Sequence, residues 1–263
     1  MSALFLIHLV AWKAYNEFSK KIRKTSKKID FKRLNSSPDP TWKPLKKQNH
    51  PYDSSTYTTF DPSTMESCYS LLISTVAPRP IAFVSSIDKN GIGNLAPFSY
   101  FGIASHSPPT VVIGVCYNRD GTKKDTLRNI EETQEFVVNM IGDWMTESAN
   151  YTSAAFPHGI DEMKQAGLTP LASETVKPPR VAESVVQMEC KLSGIHTVTN
   201  ADGAARSGVI FGTITRFHVL DTLVETSKTG PQVKLDDYRP MSRVGGDVWA
   251  AVGDNFDLRR PTL

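Results

Sequence analysis

Cysteine is scarce and long apolar runs are missing. The three cysteines, Cys68, Cys116 and Cys190, lie far apart and form no C-x-x-C pair. That argues against a disulfide framework or a cysteine-based zinc site and for a reducing compartment. The six histidines include no H-x-x-x-H or H-E-x-x-H pair, and neither G-x-x-x-x-G-K-[ST] nor G-x-G-x-x-G occurs. Zincins, P-loop enzymes and dinucleotide-binding Rossmann proteins therefore lack their local signatures, and no metal ligand set emerges. The apolar stretch from Ala3 to Trp12 is about ten residues long, well short of the roughly 20 needed to span a bilayer. Its charges follow rather than precede it, unlike a secretory signal.

Charge is unevenly shared. Residues 1–50 carry twelve Lys and Arg against three acids, a net of +9, whereas the other 213 residues hold eighteen against twenty-four, a net of −6. Leu9, Trp12, Tyr15, Phe18, Ile22 and Ile29 recur at helical steps, with Lys13, Lys20, Lys24 and Lys27 largely off that stripe. This fits a basic amphipathic helix making weak contact with a membrane surface through residues 1–30, or an import sequence. A solvated tail, or one packed on a partner subunit, fits the same residues. No nucleic acid partner is expected, because no recognition fold surrounds the lysines. The expected location is cytoplasmic, with a mitochondrial or membrane-associated one as the alternative. Residues 35–63 are proline-rich and read as an extended linker. The chain thus divides into a basic extension (1–50), a linker and lead-in helix (51–75), one main domain (76–250) and a tail (251–263).

Within the main domain the apolar pattern is that of strands. Ser63 to Thr75 predicts a short helix capped by Ser63 or Thr64 and stopped by Pro78 and Pro80. Ile81 to Ile87 is β-branched and aromatic, and Asn90-Gly91 signals a type I′ hairpin turn. Val111 to Tyr117, Glu135 to Ile141, Val185 to Ser193, Ile195 to Thr199 and Val209 to Leu220 supply further strands. Several are continuous apolar runs, as in a closed barrel or a sheet buried in a dimer. Helices are few: Asp125 as cap of one through about Thr133, Asp143 as cap of another through Asn150, and a turn over Ile160 to Gln165. A mainly β antiparallel barrel with inserted short helices accounts for all of this.

Two segments carry chemistry. Ala77 to Tyr100 ends in a loop of small hydroxyl and amide groups, and Lys123 to Asn129 reads as a basic helix start. A planar heteroaromatic ring on the loop with its phosphate at the helix would use both, the outline of a flavin mononucleotide (FMN) site. A phosphate dianion needs several donors, which a helix N-terminus, Lys124 and Thr126 can supply within one turn, with Asp125 capping the helix. Asn94, Ser99 and nearby amides suit the polar edge of the ring, while Pro97, Phe98, Tyr100 and Phe101 offer wall. Each piece alone also reads as ordinary structure, the first as a core strand and the second as a capped surface helix. Arg79, between Pro78 and Pro80, could pair with a phosphate or an acid. His106 and His158 lie in proline-bounded loops.

The ordered segments APRPIAFVSSID, NLAPFSYF, SPPT, KDTLRNIEET, EFVVNM, FPHGIDE, GLTP, PPRVAES, ECKL and RVGG closely resemble the flavin reductase-like, FMN-binding split-barrel family, from about Val76 to Asp247. The resemblance implies a six-stranded antiparallel split barrel with Greek-key connections, a homodimer, and FMN bound near the subunit interface. It implies an NAD(P)H-dependent flavin reductase, with NADH or NADPH as reductant and a monooxygenase as possible partner. Carried over by position, it places Asn94 to Tyr100 at the flavin ring and Lys124, Asp125 and Thr126 at the phosphate. Arg79 and Ser85 fall in the matched first strand, Arg243 beside the site, and Ser99 takes the catalytic position near flavin N5 and O4. An FMN-binding carrier or sensor, and an enzyme like pyridoxamine-phosphate oxidase, would use related residues.

Overall fold

A computed structural model describes residues 34, 36–48, 50–53 and 56–262. The amphipathic helix expected over residues 1–30 lies outside the described residues. Among those residues no helix is long and apolar enough to cross a membrane.

The elements begin with helix α1 (Tyr69–Thr75) and the two-residue strand β1 (Arg79–Pro80). The hairpin β2 (Ala82–Ile87) and β3 (Gly93–Phe98) follows, then β4 (Phe101–His106), β5 (Pro109–Cys116), α2 (Asp125–Thr133) and β6 (Glu135–Met140). Helices α3 (Thr146–Tyr151) and α4 (Glu162–Gln165) and the small strands β7 (Pro170–Leu171) and β8 (Arg180–Val181) lead to the long pair β9 (Val186–Thr199) and β10 (Ala205–Val219). After them come β11 (Val224–Ser227), β12 (Gly230–Val233), α5 (Leu235–Tyr238), β13 (Met241–Arg243) and β14 (Trp249–Ala251).

The large sheet runs β3-β2-β6-β9-β10-β5-β4, with every pairing antiparallel. Its two edges, β3 and β4, are consecutive in the chain and separated only by Ser99 and Tyr100, so they are halves of one bent strand. One half pairs with β2 and the other with β5. The sheet thereby closes into six strands split at that bend, and the β5-to-β6 connection through α2 crosses between non-neighbours in Greek-key fashion.

Alternation on β2 separates two cores. Ala82 and Val84 point into the barrel with Val111, Ile113, Phe136, Val138 and Ile210, whereas Phe83 faces outward with Leu95, Ile141, Met163 and Val181 beneath α3 and α4. Helix α2 closes the barrel mouth with Leu127 and Ile130, both fully buried. Gly208 on β10 permits this seat, since a Cβ there would lie 2.9 Å from Leu127 Cδ1.

Several local expectations are corrected. Instead of one helix over Ser63–Thr75, Asp61 caps a 3-10 turn at Pro62–Thr64 through the Ser63 amide, the chain turns extended at Met65, and α1 begins only at Tyr69. The Asn90-Gly91 hairpin forms, but only Gly91 has positive φ (83°). The Asp88 carboxylate accepts from the amides of Asn90 and Ile92, both at 2.8 Å, which favours a turn with one left-handed residue rather than the two of type I′. The strands expected at Val185–Ser193 and Ile195–Thr199 are one strand, β9, with a register shift opposite Phe211/Gly212. Asp125 and Asp143 are first residues of their helical turns rather than caps: the cap positions are Lys124 and Gly142. Both carboxylates are instead taken by arginines, Arg128 and Arg239.

Candidate functional site

The bend between β3 and β4 is fixed from both sides. Phe98 and Phe101 pack against the barrel core and anchor the two halves. Tyr100 lies over Gly114, whose amide donates to the Tyr100 carbonyl at 2.7 Å, and the residue remains 40% exposed. Burial, with Cys116 and Tyr69 adding, pushes the Tyr100 phenol up despite the opposing charge of Arg79. Ser99 sits at the corner and accepts a hydrogen bond from Arg79 Nε at 3.3 Å.

Arg79 is buried, and its fork is spent on the protein. Nη1 donates to the carbonyls of Ile73 and Val76, the latter at 2.8 Å, and Nη2 to the Gly245 carbonyl at 3.2 Å. A cation at the C-terminal carbonyls of α1 is favoured by the helix dipole. Arg79 therefore ties α1, the Arg243–Gly246 turn and the Ser99 corner together. Across the antiparallel pair β1–β13 its neighbour is Arg243, and across β13–β14 the neighbour of Arg243 is Trp249. The Arg243 guanidinium lies 4.9 Å from the Trp249 ring centre, and its buried Nε has no hydrogen-bond partner.

The start of α2 meets the other end of β3. No side chain caps this helix. Lys124 at the cap position reaches Asn118 Oδ1 at 3.3 Å, while Lys123 turns away to Glu131 at 2.6 Å. Asp125 is paired with Arg128, and His158 Nδ1 lies 3.2 Å from its carboxylate and 2.9 Å from Arg128 Nη2. Thr126 is buried, and its hydroxyl accepts from Asn94 Nδ2 at 2.8 Å. Asn94 also approaches Ser86 Oγ (3.4 Å), which accepts from Asn129 Nδ2 (3.2 Å). Strand β3 and helix α2 are thus joined directly, by residues 32 positions apart. With a rise of about 3.3 Å per residue, Asn94 and Ser99 stand roughly 17 Å apart along the strand.

Ser85 and Pro97 face the other way. Their register partners, Leu95 and Phe83, belong to the outer core, and Ser85 Oγ donates to the Pro179 carbonyl. His106 ends β4 in an exposed position.

The segment 156–162 was noted for its motif but not for its contacts. His158 reaches Asp125, Asp161 lies against Gly93, and the buried Glu162 carboxylate accepts from the Leu95 amide at 3.0 Å. Burial pushes the Glu162 carboxyl up, against the Leu95 amide that favours its charge. One loop therefore grips both the helix start and the free edge of β3. An acid after a turn carries no sequence signal for this; only the open edge of β3 explains it.

The profile of the flavin reductase like domain matches residues 74–230. The chain is similar to nitrilotriacetate monooxygenase component B from Bacillus cereus: TM-score 0.73, 33% identity, 78% of this chain and 100% of that one. It is also similar to a 2-nitrobenzoate 2-nitroreductase from Pseudomonas fluorescens: TM-score 0.68, 31% identity, 78% and 97% covered. A flavin reductase with split barrel domain from Shewanella frigidimarina shares the fold, with TM-score 0.63 at 22% identity over 79% of this chain and 100% of that one.

Proposed function

The chain belongs to the flavin reductase-like family of flavin-related oxidoreductases, and from that premise we propose that it binds FMN and takes hydride from NADH or NADPH. The observation that carries this reading is the 2.8 Å hydrogen bond from Asn94 to Thr126, which sets the ring strand against an uncapped helix start. Free amides at that start, with the Lys124 charge beside them, suit a phosphate. Pairing of Asp125 with Arg128 offsets the local charge that would oppose it. The buried Thr126 serves by holding Asn94 in place.

Bound flavin would supply the hydride-accepting atom N5 and the nicotinamide the hydride. The chain's own task is to position the rings and exclude water. Ser99 Oγ accepts from Arg79, so its own proton is left to donate at the ring end of β3. Exposed apolar side chains on α1, just past its end and on β4, Leu72 (53%), Val76 (58%) and Ile103 (85%), support a homodimer. The similarity to a monooxygenase component supports delivery of reduced flavin to a monooxygenase partner. The visible spectrum of the purified, desalted protein tests the reading. Flavin absorption, or its saturable return on adding FMN, supports it; a colourless protein that does not bind FMN contradicts it.

A further inference from the structure

Arg79, Arg243 and Trp249 are successive partners across the three-stranded sheet β1-β13-β14, so their side chains leave the same face. Two like charges directly opposite one another on a sheet repel. Among the described residues neither guanidinium has a carboxylate partner. Arg79 is satisfied by carbonyls and by Ser99. Arg243 is not: it stacks on Trp249 and leaves a buried Nε–H unbonded. A buried donor without a partner is unfavourable, and a guanidinium lying over an indole, 4.9 Å from its centre, keeps its in-plane donors for a forked acceptor.

We propose that Arg243 receives the anionic group, carboxylate or phosphate, of the substrate that meets the flavin, with Trp249 forming the flat wall beside it. This rests on the flavin reading above. The position separates it from the flavin phosphate. Arg243 is tied through Arg79 to Ser99, at the end of β3 remote from α2, whereas the helix start meets Asn94 roughly 17 Å away along the strand. The fork of Arg243 and the apolar face of Trp249 together suit a planar carboxylate better than a tetrahedral phosphate.

Calorimetric titration with benzoate and with inorganic phosphate, at constant ionic strength, tests this on the full chain with and without FMN. Saturable binding is expected for the wild type, tighter for benzoate. Arg243→Gln should weaken it by roughly tenfold or more, the effect of losing a charge-assisted pair. Arg243→Lys should lose less, keeping the charge without the fork. If phosphate is preferred, the source is a nucleotide phosphate, and Arg243→Gln should raise KM for NADPH more than for NADH. Wild-type anion affinity in both variants would overturn the proposal, as would loss of FMN affinity with anion binding intact. A wild type that binds benzoate but never FMN would contradict the flavin reading alone, because the flavin-free titration reports independently.

Discussion

The Ser99 hydroxyl takes a hydrogen bond from Arg79 and so has its own proton to offer at the bend. If that proton faces the ring where charge collects on reduction, Ser99→Ala slows hydride transfer while FMN affinity falls by only about 1 kcal/mol, the net worth of a neutral hydrogen bond. Stopped-flow reduction alongside FMN titration separates the two; unchanged reduction rates would leave only the Ser99 backbone as a donor. Glu162 acts through another residue. Glu162→Ala leaves the Leu95 amide of an edge strand without an acceptor, and about 1–3 kcal/mol of stability should be lost. Glu162→Gln keeps an acceptor oxygen and should recover most of it in thermal unfolding. Equal losses in the two variants would mean that the negative charge, rather than the hydrogen bond, matters at this position.

At the scale of elements, α2 and the split strand form one unit. Leu127 fits its seat only because Gly208 has no side chain. Gly208→Ala should therefore push α2 outward and destabilise the fold by about 1–3 kcal/mol as overpacking does; on the proposed reading, in which the helix start receives the phosphate, it should also weaken FMN more than riboflavin. Equal weakening of both ligands would detach α2 from phosphate binding. Much of this level was legible in sequence. Val111–Tyr117, Glu135–Ile141 and Val209–Leu220 are β-branched runs too apolar for one-sided sheets, and each forms a barrel strand. A barrel was expected, but the place where it closes was not, since that depends on the Ser99–Tyr100 corner turning one continuous strand from β2 to β5. The small strands β13 and β14, three residues each, have no periodicity to detect. For the site, residue types and order were readable, but partners were not. Arg79 was expected to meet a phosphate or an acid, and it meets carbonyls that only the folded chain brings together.

Across the whole molecule, Glu189 is the most consequential buried charge. It is fully buried on β9; burial pushes its carboxyl up, but the Thr175 hydroxyl, the amides of Glu174 and Thr175, and His218 outweigh that and hold it at about 2. A carboxyl lowered on folding stabilises above its unfolded value and loses that contribution as pH falls through the folded one. The drop from 4.5 to about 2 corresponds to about 3 kcal/mol, lost between those pH values. Unfolding free energies measured across this window should fall steeply for the wild type and less for Glu189→Gln; parallel curves would assign acid sensitivity elsewhere. Removal of residues 1–50, which carry the +9 charge and precede the matched domain, should leave a folded flavin-binding unit. An unfolded or flavin-free truncation would make that segment part of the domain. The most direct test of the central claim is anaerobic stopped-flow mixing of the FMN-loaded chain with NADH and with NADPH. Bleaching of the flavin band much faster than that of free FMN, saturating in at least one nucleotide, is the expected result; bleaching no faster than free FMN with either nucleotide would contradict it.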